Sequence, residues 1–200
     1  MLPQAPYIRA TRAWVPDAER KIAFDRFHVA QHLGLAVDQV RRREHKALKA
    51  AEDASLTRTR YLWLQNPQRM SRPRRDALDR LRHANLKTAR AWAIKEQAAC
   101  LWGYRSRAGA RRGWMRWYQW AIRCRLEAVK KVARLVRKHL EGIITAVVTG
   151  ATTARSEGFN AVIQKIKSDA RGYRNRDRFR AAIYFHLGGL DLYSGSLRAW

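Results

Sequence analysis

The 200-residue sequence predicts an α/β fold, and three observations lead there. Ile22-Ala23-Phe24 is a short apolar run that passes into Asp25-Arg26, the pattern of a buried strand with polar residues at its C-terminal end. Tyr61-Leu62-Trp63-Leu64 is a second run of that kind, closed by Asn66-Pro67. The long stretches after each run repeat apolar residues at intervals of three and four, which is the period of a helix. With 46% hydrophobic and 29% charged residues, the chain carries enough apolar surface to pack rather than stay disordered.

The elements follow in order. From Val29 to about Ala54, Val29, Leu33, Val37 and Val40 form one apolar helical stripe, with Arg41 to Arg43 and Lys46 in a basic stretch. Ser71 predicts a cap for a helix that tolerates Pro73 in its first turn and carries Leu78 and Leu81. Another helix runs from about Leu86 to Trp102, and Gly103 to Gly113 is the softest break in the chain. Between Leu101 and Leu140 stand twelve Lys or Arg residues against a single acid, Glu127. Trp114, Trp117 and Trp120 are interleaved with them, and Trp117, Trp120 and Cys124 share a helical face. The tryptophans predict a packed stripe, and the Lys/Arg face predicts a surface for phosphate. Cys100 and Cys124 form no C-x-x-C pair and read as small core residues, which excludes a zinc finger or disulfide scaffold in this chain.

A further helix spans Arg155 to Lys167, with Thr152 or Thr153 as its cap. Taking Glu157 as origin, Phe159, Val162, Ile163 and Ile166 fall at roughly 140–240° around the wheel, while Asn160 and Gln164 lie within about 60° of the glutamate. Glu157 thus heads a polar face. A first-turn glutamate also suits the helix dipole with no chemistry attached, and the spacing leaves both explanations open. Phe179, Ile183 and Leu187, four residues apart, predict a core-facing row, and Leu190 to Trp200 reads as irregular.

Lys and Arg number 42 against 16 Asp and Glu, a formal charge of +26. Such a surplus repels itself in a compact fold unless a polyanion neutralises it, and nucleic acid is the commonest one; an Arg-rich coding bias with an ordinary basic surface gives the same composition. No apolar run reaches the eighteen residues of a membrane span, and Met1 to Ala10 lacks the apolar core of a signal peptide. A cytoplasmic, nucleoid-associated protein is the expectation, with no membrane and no small-molecule substrate.

Four motifs in order carry a resemblance. Asp25-Arg26-Phe27-His28 before a helix, Tyr61-Leu62-Trp63-Leu64-Gln65-Asn66-Pro67, Glu157-Gly158-Phe159-Asn160 and Arg171-Gly172-Tyr173-Arg174-Asn175 together resemble the DDE transposases of the ISL-three type. The resemblance implies a ribonuclease H-like core interrupted by a large, mostly helical insertion; 131 residues separate Asp25 from Glu157. It implies a partition into residues 1–34 (part of the core), 35–145 (basic helical insertion), 146–190 (return to the core) and 191–200 (tail). It implies that Asp25 is the second acid of the triad and Glu157 the third, together holding Mg²⁺ or Mn²⁺ for strand cleavage and transfer at insertion-sequence ends. The implied partners are DNA and a second copy of the chain on DNA. His28, Asn160, Lys165, Lys167, Arg171, Arg174, Arg112 and Arg116 are the candidates for contact with that DNA. The sequence departs from the pattern at its start: Met1 to Tyr7 contains no acid to match the first aspartate, Asp17 follows Pro16 in what reads as a turn, and no zinc-binding or helix-turn-helix region precedes it. The expectation is an N-terminally truncated copy that binds DNA and is inactive alone. A non-catalytic basic module and a regulatory fragment of a transposase are the alternatives.

Overall fold

In the computed structural model, which describes residues 5–152 and 154–188, every regular element is helical. The expected α/β, ribonuclease H-like core is therefore not what these residues form: among them there is no strand and no sheet. Both expected strands fail for local reasons. Ile22 to Asp25 is extended, with Phe24 buried, but the one backbone bond of this segment to a distant element runs from Phe24 N–H to the Gly142 carbonyl at 3.0 Å, on a helix. Tyr61 to Leu64 lies within a helical turn. A four-residue apolar run does not distinguish strand from helix by period. Here the Trp63 indole donates back to Thr59 Oγ1 at 3.3 Å, and that hydroxyl donates to the Leu56 carbonyl at 2.8 Å, bonds that need the helical spacing.

The chain divides into two compact units, residues 1–152 and 153–200. The first holds α1 (Ala5–Trp14), α2 (Ala18–Lys21), α3 (Arg26–Ala50), α4 (Arg60–Leu64), α5 (Arg72–His83), α6 (Lys87–Cys100), α7 (Arg107–Ile122), α8 (Glu127–Lys138) and α9 (Leu140–Thr149), with 3₁₀ turns at Pro67–Arg69 and Leu101–Gly103. Helix α3 is the spine, packing along α6 and α8, while α7 lies on α8 and α9. The predicted stripe Val29, Leu33, Val37 and Val40 is buried, as are Trp114 and Trp117 on α7. Trp120, one turn further, is exposed, and Cys100 is exposed where Cys124 is buried. Trp117 completes its burial by donating its indole N–H to the Ile94 carbonyl at 2.8 Å.

Two carboxylates of α3 tie the spine to its neighbours. Asp38 is buried and accepts from Arg41 (3.0 and 2.9 Å) and Arg42 (2.8 Å), with Arg60 of α4 3.8 Å away. Burial alone would raise its carboxyl pKa; the hydrogen bonds and charges of the two arginines outweigh that and hold it below the usual range. Glu44 reaches across to the start of α6, accepting from the backbone N–H groups of Lys87 and Thr88, both at 2.7 Å, and from the Thr88 hydroxyl at 2.6 Å. Leu86 at the α6 N-cap has no side-chain acceptor, so Glu44 does its work from another helix.

The second unit contains α10 (Ala154–Asp169) and α11 (Arg176–Leu187). Asn175 caps α11 by accepting from Asp177 N–H at 2.7 Å and Arg178 N–H at 3.3 Å. Ile166 is buried, and Phe179 stacks at a tilt on Tyr173 with centroids 4.9 Å apart. The apolar face predicted for α10 is only partly covered, since Phe159 and Val162 stay exposed. Phe179, Ile183 and Leu187 are half-buried rather than core. Thr153 and the predicted irregular tail from Leu190 lie outside the described residues. No helix among them is long and apolar enough to cross a membrane.

Candidate functional site

Asp25 is placed by the residues on either side of it. Upstream, Phe24 is buried against α9, its ring 4.5 Å from that of His139 at the α8–α9 corner. This approach depends on Gly142: a Cβ there would stand 2.1 Å from Phe24 Cδ2. Downstream, Asp25 is the N-cap of α3, its Oδ1 accepting from Phe27 N–H at 2.8 Å. Its Oδ2 lies 3.5 Å from the donating hydroxyl of Thr152, the last residue of the first unit. The carboxylate is mostly buried at a helix N-terminus.

His28 follows within the first turn of α3. It is half-buried, and its Nδ1 is enclosed without a hydrogen-bond partner. His32, one turn on, has a pKa lowered by burial first and by the charge of His28 as well.

Glu157 occupies the first turn of α10 and is exposed, as are Asn160, Lys165 and Lys167 further along the helix. Arg171 is exposed in the turn that follows, with a left-handed backbone (φ 52°) that Gly172 shares (φ 99°); Arg174 is exposed just beyond. Arg112 and Arg116 are exposed one turn apart on α7, opposite its buried tryptophans. Within the first unit the structure brings together Asp25, His28 and Thr152; within the second it groups Glu157, Asn160 and the basic residues of α10 and its following turn.

Sequence reasoning missed one basic cluster. Arg9 and Arg12 on α1, with Arg137 and Lys138 at the end of α8, surround a recess of about 580 Å³ whose wall includes Phe24, the neighbour of Asp25. The signal for half of it was present: α8 buries Ala128, Val129, Val132, Ala133 and Val136, which leaves Lys131, Arg134 and Lys138 as an outward stripe. Nothing in the sequence pattern indicated that α1 would join that end.

The resemblance calls for divalent metal, and hard carboxylate oxygens suit Mg²⁺ or Mn²⁺. Among the described residues no group of three or more His, Cys, Asp or Glu side chains stands together to hold an ion.

Comparison with known proteins gives this arrangement its context. The transposase for insertion sequence element IS1001 of Bordetella parapertussis is 31% identical over 171 residues, which cover 84% of this chain and 42% of that protein. The chain thus spans about two-fifths of the length of the curated relative it matches. No solved structure matches it. Residues 3–183 match the family model of the DDE transposases of the ISL-three type, described as "Transposase", and the chain belongs to that family.

Proposed function

We propose that this chain is the acid-bearing, DNA-gripping portion of a transposase that cleaves and transfers DNA strands at insertion-sequence ends in the cytoplasm, on the nucleoid. Within it, Asp25 and Glu157 supply carboxylates to one divalent-metal site. The observation that carries this reading is the position of Asp25: capped onto α3, it meets Thr152, and only five residues of chain lead from Thr152 to Glu157. Fully extended, that tether spans at most about 18 Å. An acid fixed on a helix end and an acid on a short tether are suited to close on a common ion.

The family works with divalent metal ions. Bound there, Mg²⁺ or Mn²⁺ would stabilise charge on the attacking and leaving oxygens of an in-line displacement at phosphorus. The chain's own residues hold the acid and the DNA. The α3 cap and the Phe24–Gly142 contact fix Asp25 in direction, and His28 presents a ring nitrogen without a partner beside it. Asn160, Lys165, Lys167, Arg171 and Arg174 are contacts for phosphate, with Arg112 and Arg116 on α7 as a second set. Self-association on DNA belongs to the same proposal, as does the division of the chain into a core-related start, a basic insertion and a return segment.

Among the described residues no three-ligand cluster stands together, which supports a second statement: by itself the chain binds DNA and does not cut it. The test joins this chain to the part of the Bordetella parapertussis transposase that it does not match, and follows nicking of plasmid carrying element ends with Mg²⁺ or Mn²⁺. The joined protein is expected to nick, and Asp25→Asn or Glu157→Gln to abolish nicking while leaving DNA affinity within about twofold, since neither removes a phosphate contact. Nicking that survives both substitutions would end the assignment of these acids.

A further inference from the structure

The recess between α1, the Ile22–Phe24 segment and the α8–α9 corner has no role in the reading above. We propose that it is a phosphodiester-binding site, in which Arg9, Arg12, Arg137 and Lys138 hold a backbone phosphate of the DNA strand that passes Asp25. The inference rests on the transposase reading and names a contact surface within it.

Three observations carry it. First, four cations from two helices distant in sequence converge on one concavity: Arg9 and Arg12 lie one turn apart on α1, and Arg137 and Lys138 end α8. All four are exposed. Among the described residues the one acid on the wall, Glu141, is already engaged by Arg107, 3.5 Å away, and by Arg111 of α7. Second, the concavity is large enough for a phosphate and its sugar, and Phe24 forms part of its wall, one residue from the acid. The field inside it is positive: the His139 imidazole on the wall has its pKa lowered by burial first, then by the charges of Lys138 and Arg12. Third, the recess is the end of a track. Lys131, Arg134 and Lys138 stand on one face of α8 with a rise of about 10 Å between the first and last, so the cations continue outward from the recess. A track of that kind fits a polymer of phosphates better than a single small anion.

The experiment measures binding of a short fluorescent duplex by anisotropy across a range of salt, using the whole chain. One variant replaces Arg9, Arg12, Arg137 and Lys138 with Gln. A charge-matched control replaces Arg69, Arg72, Arg74 and Arg80, exposed on or beside α5, with Gln. The recess variant is expected to lose about thirtyfold in affinity at low salt, with the log–log salt slope shallower by about one to two, one phosphate contact being worth about 0.9 of slope. The control is expected to lose less than about threefold. Arg9→Gln with Lys138→Gln, exposed positions on separate elements, is the milder form and is expected to give about half the change in slope. Circular dichroism melts confirm that each variant is folded. If the recess variants and the control change alike, the phosphate site is refuted and the DNA-binding reading stands. If the unaltered chain shows no salt-dependent binding, both fall. A third arm adds inorganic phosphate at ionic strength matched with chloride: equal competition by the two salts supports a DNA strand as the ligand, and selective displacement by phosphate overturns that choice in favour of a free anion.

Discussion

In the proposed reading Asp25 has two roles, and substitution separates them. As N-cap of α3 it satisfies the Phe27 N–H; as a carboxylate it would offer charge to a metal. Asparagine caps a helix about as well as aspartate, so Asp25→Asn is expected to leave the melting temperature nearly unchanged and to abolish metal-dependent cleavage in the joined protein. Asp25→Ala loses the cap as well and is expected to cost about 1 kcal/mol in denaturant unfolding. Gly142→Ala probes the wall behind the acid: with a Cβ 2.1 Å from the Phe24 ring, something must shift, at a cost of about 1–3 kcal/mol. A variant with unaltered stability would show that the α9 contact does not position Phe24. Both acids stand out in the sequence because their neighbours form motifs. Gly142 was not, since only the packed structure reveals which backbone must come close to which ring.

At the scale of the element, α3 owes its hold on the fold to buried acids as much as to its apolar stripe. Asp38 has a folded pKa below its unfolded value, so its stabilisation is fully present above the unfolded pKa, near 4, and is lost as pH falls through the folded one. Thermal melts from neutral pH down to about pH 3 are expected to show this loss in the natural chain and a smaller loss in Asp38→Asn. At neutral pH that variant is expected to be less stable by about 2–3 kcal/mol, because Arg41 keeps its burial without its partner. Glu44→Ala strips the cap from α6 and is expected to cost about 1–2 kcal/mol. Helix positions were largely legible: the α3 stripe, the Pro73 start of α5 and the α6 span all follow from period and capping. The two short apolar runs were not, because length, not composition, separates a helical turn from a strand, and Tyr61 to Leu64 has the β-favouring aromatics of either. The exposed Phe159 and Val162 on α10 also went unforeseen: a wheel identifies an apolar face and says nothing about what covers it.

The whole molecule carries +26, and its exposed cations fall on several faces rather than one. Affinity for duplex of arbitrary sequence is therefore expected to fall steeply with salt, since phosphate neutralisation supplies the binding energy. A flat response would contradict the basic-surface account as a whole. Charge and family were readable from the sequence, while the fold class was not: the α/β, ribonuclease H-like core is absent from the described residues, whose apolar runs bury themselves by helix packing instead. The central claim is that Asp25 and Glu157 serve one metal ion. Iron-directed backbone cleavage tests it most directly. Fe²⁺ bound in place of Mg²⁺, with ascorbate and peroxide, cuts the chain where the ion sits. The account predicts scission beside Asp25 and beside Glu157 together, suppressed by excess Mg²⁺ and lost at both places in either Asp25→Asn or Glu157→Gln. Scission at one acid alone, or at both but indifferent to the substitutions, would contradict it.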